Sequence, residues 1–374
     1  MRIGFDAKRA FFNKSGLGSY SRNLIQGLIE KYPENEYVLY TPDLNYELFE
    51  PTQECIEVKE PKLVFHRIFR SYWRSFYLSH QLPKDGIEIF HGLSHEIPYN
   101  FPNKQVRSIV TIHDLIFLRL PHMYRFLDRI IYEKKFRYSC EASSRIVAVS
   151  RQTADDIVEF FNISHEKIDV VYQGCNPVFN TEVPLIEKEI LRMKYLLPKS
   201  FILYVGTIEE RKNLLTLIKA LHYGKIDMPL VVIGKPTPYL NKIIEFIERH
   251  SLINIIFCDI VQNQDLPGIY QLANLFVYPS IFEGFGIPIL EALYSRIPVI
   301  TSRATSMTEV GGDFTIYVDP NNVEEMAAAI KKVLFDRDLQ EKMILEGYQH
   351  ARNFDADKVA ANIMQVYHKV LENA

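Results

Sequence analysis

Glu283-Gly284-Phe285-Gly286-Ile287-Pro288-Ile289-Leu290-Glu291 sets two carboxylates around a pair of glycines. Gly284 and Gly286 permit a tight turn with the backbone close to a ligand. Pro288 suits the first position of a helix, which places Glu291 in that helix's first turn and Glu283 in the loop before it. Carboxylates accept hydrogen bonds from the vicinal hydroxyls of a ribose or hexose. A helix start beside them offers free N–H groups to an anion such as phosphate. The plainer account makes Glu291 a dipole-favoured acid and Glu283 an exposed loop acid. The Gly-Phe-Gly insertion weighs against it.

Three further loops carry unusual residues. Gly206-Thr207-Ile208-Glu209-Glu210-Arg211-Lys212-Asn213 follows the apolar run Phe201–Val205. Adjacent Arg211 and Lys212 at a strand-to-helix turn can neutralise a diphosphate without a metal, and Asn213 suits the N-cap of the next helix. An ordinary solvated Arg-Lys pair is the alternative, and the position at the turn favours phosphate. Gly16-Leu17-Gly18-Ser19-Tyr20 opens a helix and is a second anion candidate. Its spacing is not a dinucleotide fingerprint, because Ser21 stands where that motif needs glycine. His113-Asp114 closes the run Ser108–Ile112, where a histidine can reach a sugar hydroxyl or a transferring centre. A histidine satisfied by Asp114 is the bland alternative, and His91, after Ile87–Phe90, carries the same pair of readings.

The elements that must position these loops alternate. Strand-like runs include Met1–Asp6, Tyr37–Tyr40, Ile87–Phe90, Ser108–Ile112, Arg145–Val149 and Asp169–Tyr172, then Phe201–Val205, Leu230–Ile233, Ile255–Phe257, Leu275–Tyr278 and Val299–Thr301. Helical periodicity lies between them, as in Asn213–Tyr223. Strands this apolar alternating with helices imply parallel sheets covered on both faces, hence an α/β fold. In such sheets ligands bind beyond the carboxyl ends of the strands, where all four loops lie. A polar, proline-containing break over Asn176–Leu197 divides the chain into Rossmann-like domains at 1–177 and 196–354. The segment 355–374 reads as an amphipathic helix with Val359, Ile363, Val366 and Val370 in register.

Composition narrows the function. A chain of 374 residues exceeds what one core usually serves. A net charge of −3 argues against a nucleic-acid partner. Cys55, Cys140, Cys175 and Cys258 are far apart and form no CxxC pair, which fits free thiols in a reducing compartment. The chain enters a strand from Met1 with no cleavable apolar region, and no run approaches the roughly 20 apolar residues that span a bilayer, so a cytoplasmic protein is expected. HExxH and P-loop motifs are absent. Asp336-Arg337-Asp338 and Asp355-Ala356-Asp357 read as helix-end charge rather than a metal site after a strand. Pro61–His80 carries Lys62, Arg67, Arg70 and Arg74 with no acid, interleaved with Phe65, Phe69, Tyr72, Trp73, Phe76 and Tyr77. Such a helix either touches anionic lipid at the inner face of the plasma membrane or buries its aromatics with its bases snorkelling outward.

Taken together, Glu283…Glu291, Gly206…Arg211-Lys212-Asn213, Gly16-Leu17-Gly18-Ser19-Tyr20 and Val147–Thr153 followed by Val170–Gly174 resemble the retaining GT-B glycosyltransferases of glycosyltransferase family 4, over nearly the whole chain. Gln173 departs from the asparagine that relatives often carry there. The resemblance implies two doubly wound domains facing a central cleft, the N-terminal one on the acceptor side, with helix 355–374 crossing back onto it. It assigns Glu291 to the donor ribose, and Glu283 with Gly284, Phe285 and Gly286 to the transferred hexose. Arg211 and Lys212, beside Gly206, would hold the departing diphosphate; Gly16 and Gly18 would approach it on closure; His113 would sit at the sugar and Val261 near the base. It further implies a retaining hexosyltransferase that needs no metal or other cofactor, a GDP- or UDP-linked donor, and a glycan or lipid-linked acceptor in polysaccharide biosynthesis. Likeness to bacterial surface-polysaccharide mannosyltransferases over Thr111–Phe117 and Phe136–Ile157 favours GDP-mannose. An epimerase, a phosphorylase or an inactive donor-binding module are the competing readings.

Overall fold

The computed structural model describes residues 1–45, 47–101, 105–258 and 260–372. The chain divides into two compact units, Met1–Gly174 with Phe354–Ala374, and Cys175–Asn353.

In the first unit the strands are β1 (Arg2–Asp6), β2 (Glu36–Tyr40), β3 (Ile56–Lys59), β4 (Ile89–Gly92), β5 (Arg107–Ile112), β6 (Arg145–Ala148) and β7 (Ile168–Val170). They form one parallel sheet in the order β3-β2-β1-β4-β5-β6-β7, with Ile3 opposite both Tyr37 and Ile89. Successive residues point to opposite faces. Tyr37 and Leu39 join an apolar cluster with Leu24, Leu28 and Ile363, whereas Val38 and Tyr40 join another with Trp73, Leu82 and Phe90. Both faces are therefore covered, which is why the strands are so uniformly apolar. The helix Ala356–Glu372 lies against the helix Gly16–Lys31 and buries Val359, Ile363, Val366 and Val370, the positions the periodicity selects. The last two residues of the expected 355–374 helix lie outside the described residues.

The second unit contains β8 (Ile202–Val205), β9 (Leu230–Ile233), β10 (Ile255–Cys258), β11 (Leu275–Tyr278), β12 (Val299–Ser302) and β13 (Ile316–Val318). They too are parallel, ordered β10-β9-β8-β11-β12-β13. In each sheet the order reverses beside the unit's first strand, between β1 and β4 and between β8 and β11. That reversal opens a crevice at the carboxyl ends of the two strands.

Three expectations change. The break expected over 176–197 contains a helix, Leu185–Lys194, whose Leu191 is buried against the helix Leu266–Leu272, and Val183 N donates to Gln271 Oε1 at 3.0 Å. The join between units falls instead at Gly174/Cys175. The edge strands β3 and β13 were not anticipated, because partly buried edges lack a continuous apolar run. The basic aromatic stretch is not one helix. It runs through Val64–Ile68, Arg70–Tyr72, a π-helical turn Trp73–Tyr77 and Leu78–Gln81. Trp73 is buried, while Phe65, Phe69, Tyr72 and Phe76 are exposed. Among the described residues, no helix is long and apolar enough to cross a membrane.

Candidate active site

At the strand reversal of the second unit, the chain leaves β8 at Gly206 and makes a 3-10 turn, Glu210–Lys212. It leaves β11 through Pro279 and Ser280. The two loops are stitched together: Arg211 O accepts from Ile281 N at 2.8 Å and from Ser280 Oγ at 3.2 Å. Asn213 occupies the cap position in the left-handed region (φ 59°) but makes no side-chain cap. Its Nδ2 donates to Pro279 O (3.2 Å) and Pro320 O (2.7 Å), so it ties three loops instead of closing the helix.

Four donors converge on one oxygen. Glu283 Oε1 receives Arg211 Nη1 at 2.8 Å, Lys212 Nζ at 2.6 Å, Tyr278 OH at 2.9 Å and Ser280 Oγ at 2.6 Å. Lys212 Nζ also donates to Tyr278 OH, and Arg211 reaches Glu209 Oε1 (2.7 Å) and Phe282 O (2.5 Å). Among the described residues Glu283 Oε2 accepts no hydrogen bond. Burial alone would push the Glu283 carboxyl up, but Lys212 and Arg211 outweigh it and hold the group at about 2. Lys212 is lowered by burial, with Arg211 adding repulsion against the pull of Glu283. Both bases are thus ordered by an acid in the same site, rather than solvated. Low solvent access strengthens each of these interactions.

Gly286 adopts φ 111°, a conformation costly for any residue with a Cβ, and the helix Ile287–Tyr294 starts after it. Pro288 is the second helical residue and Glu291 falls in the second turn, not the first, so the helix dipole does not account for Glu291. Glu291 Oε2 accepts from Tyr270 OH at 2.9 Å, and burial pushes its carboxyl up to about 7. The Gly284-Phe285-Gly286 turn is pinned by buried Phe285 and by Ser306 Oγ, which donates to Glu283 O (2.8 Å) and Phe285 O (3.0 Å). Val261 follows the edge strand β10. Among the described residues no three His, Cys, Asp or Glu side chains gather as metal ligands. Asp336 caps the helix Arg337–Ala351 through Leu339 N (2.9 Å), and Asp357 lies in the first turn of the last helix.

His113, Gly16 and Gly18 belong to the first unit. His113 Nε2 donates to Leu93 O (2.9 Å), which leaves Nδ1 to accept from Gln173 Nε2 (3.1 Å). Tyr20 packs edge-on against the ring at 4.6 Å. Burial and neighbouring His95 lower its pKa to about 3, so the imidazole is neutral. Its partners are Leu93 and Gln173, whereas Asp114 Oδ1 accepts from Ile116 N. His91 shares hydrogen bonds with Tyr367 OH and Thr111 Oγ1, both at 2.8 Å, and so joins the last helix to the sheet. Gly16 and Gly18 lie in the first turn of the helix Gly16–Lys31, not in a free loop. A Cβ on Gly18 would stand 1.8 Å from Asn13 O, so glycine is required there by the chain's own backbone, whereas a Cβ on Gly16 meets nothing within 4 Å.

Tyr278, Ser280, Tyr270 and Ser306 were not singled out in sequence. The first two had a signal, as polar residues closing a strand directly before the Glu-Gly-Phe-Gly loop. Tyr270 and Ser306 had none, since each reaches the site from a distant element.

The family described as Glycosyl transferases group 1 matches residues 187–350, and that described as Glycosyltransferase Family 4 matches residues 14–179. The chain is 30% identical over 285 residues to the O-antigen chain mannosyltransferase B of Escherichia coli, covering 75% of this chain and 74% of the relative. It is 27% identical over 302 residues to the serotype-specific mannosyltransferase WbdA of the same organism, 77% of this chain but 37% of that longer protein. The Anabaena protein Alr3699/HepE, solved in complex with UDP and glucose, superposes with a TM-score of 0.74 at 14% identity, over 99% of this chain and 100% of that one. With two parallel α/β units, both halves matched and a relative at this identity, the chain belongs to the family 4 glycosyltransferases of GT-B fold.

Proposed function

We propose that the protein is a retaining, metal-independent hexosyltransferase that moves mannose from GDP-mannose onto a glycan or lipid-linked glycan during polysaccharide synthesis. The observation that carries this reading is the convergence of Arg211, Lys212, Tyr278 and Ser280 on Glu283 Oε1 while Oε2 stays open. A nucleoside diphosphate that departs gathers negative charge on its β-phosphate, and fixed cations in a shielded site offset that charge without reorganising. Arg211 and Lys212 are those cations. Glu283 holds them in place through one oxygen and offers the other to a hexose hydroxyl. Glu291 is the acceptor for the ribose hydroxyls, and the loop at Val261 borders the base. In this reading the diphosphate oxygen released on C–O cleavage takes the acceptor hydroxyl's proton as the new bond forms on the same face. Mannose is supported by the name of the E. coli relative, and a nucleoside diphosphate-linked donor by the UDP bound to the Anabaena protein.

Removing one such cation should cost roughly 3–4 kcal/mol of transition-state stabilisation. Arg211→Ala and Lys212→Ala are therefore expected to lower turnover at least about 100-fold with the fold intact by circular dichroism. Wild-type turnover in both would end the leaving-group assignment. Turnover lost in chelator and restored by a divalent cation would refute metal independence, and proton NMR of early product showing the opposite anomer would refute retention. Ranking GDP- and UDP-sugars by thermal shift settles the donor.

A further inference from the structure

The helix Leu185–Lys194 of the second unit has two apolar sides, and its own unit uses one of them. Leu191 is buried against the helix Leu266–Leu272, so closely that a Cβ on Gly268 would stand 2.3 Å from Leu191 Cδ1. With about 100° of turn per residue, Leu185, Ile186, Ile190 and Met193 fan over an arc of about 140° on the side away from Leu191. Leu196 follows just beyond the helix end. All five are between 52 and 84% exposed. A helix that served only its own unit would carry polar residues on that side.

Three observations point to a second copy of this chain as what covers the face. The first is area. The five side chains hold roughly 600 Å² of accessible surface, the top of the range for one patch on a monomer and most of the ~800 Å² that each partner gives to a standard interface. Other exposed apolar side chains of the unit, such as Tyr223, Ile253, Phe335 and Leu345, are scattered over separate segments. The second is the order of residues. In an antiparallel crossing centred between Ile190 and Leu191, each residue meets the one at mirrored height. Leu185 then meets Leu196 of the second copy, Glu187 meets Lys194 and Glu189 meets Arg192. Glu189 and Arg192 already pair at 3.4 Å within the helix, and Lys194 holds Asp265 at 2.7 Å, so the crossing joins existing pairs head to tail. Such self-complementarity, apolar and ionic, is what a two-fold interface requires. The third is Leu196 itself. Its φ of 52° lies in the region that favours glycine or asparagine at a helix end, yet a leucine stands there in solvent. Burial against a partner gives that leucine a role that its own unit does not. A lipid surface suits the face less, because interfacial helices present a base-rich polar side and here Glu187 and Glu189 accompany Lys188, Arg192 and Lys194.

We propose that this face makes the protein a two-fold dimer through its second units, with a dissociation constant in the micromolar range or tighter. The test is sedimentation velocity of the full chain from nanomolar to tens of micromolar, where a concentration-dependent rise to twice the chain mass is expected. Ile190→Glu sets two like charges beside the axis. It should weaken dimerisation at least about 100-fold, since an isologous interface takes each change twice, with the circular dichroism spectrum unchanged. Leu191 is left unaltered because it packs inside the unit. Oxidative crosslinking above the wild-type background reads the register. Ile190→Cys should link to its own copy, whereas Leu185→Cys should link only when mixed with Leu196→Cys. Phe69→Ser, among the exposed aromatics of the first unit, should leave the dimer intact. A monomer at every concentration would overturn the proposal, as would a dimer that persists in Ile190→Glu or is lost in Phe69→Ser. Monomeric protein that pellets with anionic vesicles, and ceases to in Ile190→Glu, would make lipid the occupant and overturn it too.

Discussion

At the scale of single residues, the two glutamates of the donor loop behave oppositely, and the cause is local charge. Glu283 faces two cations and stays ionised, whereas Glu291 faces a tyrosine hydroxyl and holds its proton up to about pH 7. If the ionised carboxylate of Glu291 takes the ribose hydroxyls, nucleoside diphosphate affinity should rise as pH increases from 6 to 8. Glu291→Gln should flatten that step, and calorimetry across this range checks it. Glu283 gives the reverse sign in stability. Its folded pKa of about 2 lies below the ordinary 4.5, so its contribution is complete above pH 4.5 and fades as pH falls toward 2. Glu283→Gln leaves two buried cations uncompensated and should cost about 3–5 kcal/mol near neutral pH, read by urea unfolding. His113, neutral with both ring nitrogens engaged, should add no limb near pH 6.5 to the rate profile.

At the scale of elements, the last helix completes the first unit rather than trailing from the second. Its apolar face fills the groove beside the helix Gly16–Lys31, and Tyr367 shares a buried hydrogen bond with His91. Tyr367→Phe removes that partner and leaves His91 Nδ1 unsatisfied, which should destabilise the protein by about 1–3 kcal/mol in thermal or urea unfolding. Gly18→Ala acts through packing. The added methyl meets a backbone carbonyl that cannot rotate away, so the turn 13–18 must shift at a cost of about 1–3 kcal/mol, measurable without any ligand.

At the scale of the whole molecule, the second unit places the loops that carry Arg211, Lys212 and Glu283 where its strand order reverses. Arg211, Lys212 and Glu283 meet because β8 and β11 are neighbours, although the chain between them visits β9 and β10 first. A nucleoside diphosphate at about 100 times its dissociation constant should raise stability by about 2.7 kcal/mol. Hydrogen exchange should then show protection concentrated in 206–213 and 279–291. Protection spread over the first unit alone would contradict the donor assignment.

Sequence by itself determined the α/β class, most strands, the apolar face of the last helix and the loops that carry Arg211, Lys212, Glu283 and Glu291. These are legible because apolar periodicity and glycine spacing are local properties. Only the tertiary structure decided that both bases share one oxygen of Glu283, that Asn213 ties loops rather than capping, and that Gly18 answers to Asn13. It also turned Arg74 inward onto Asp6 and Glu96. Each of these depends on which distant segments become neighbours, and strand order, which no local pattern encodes, fixes that.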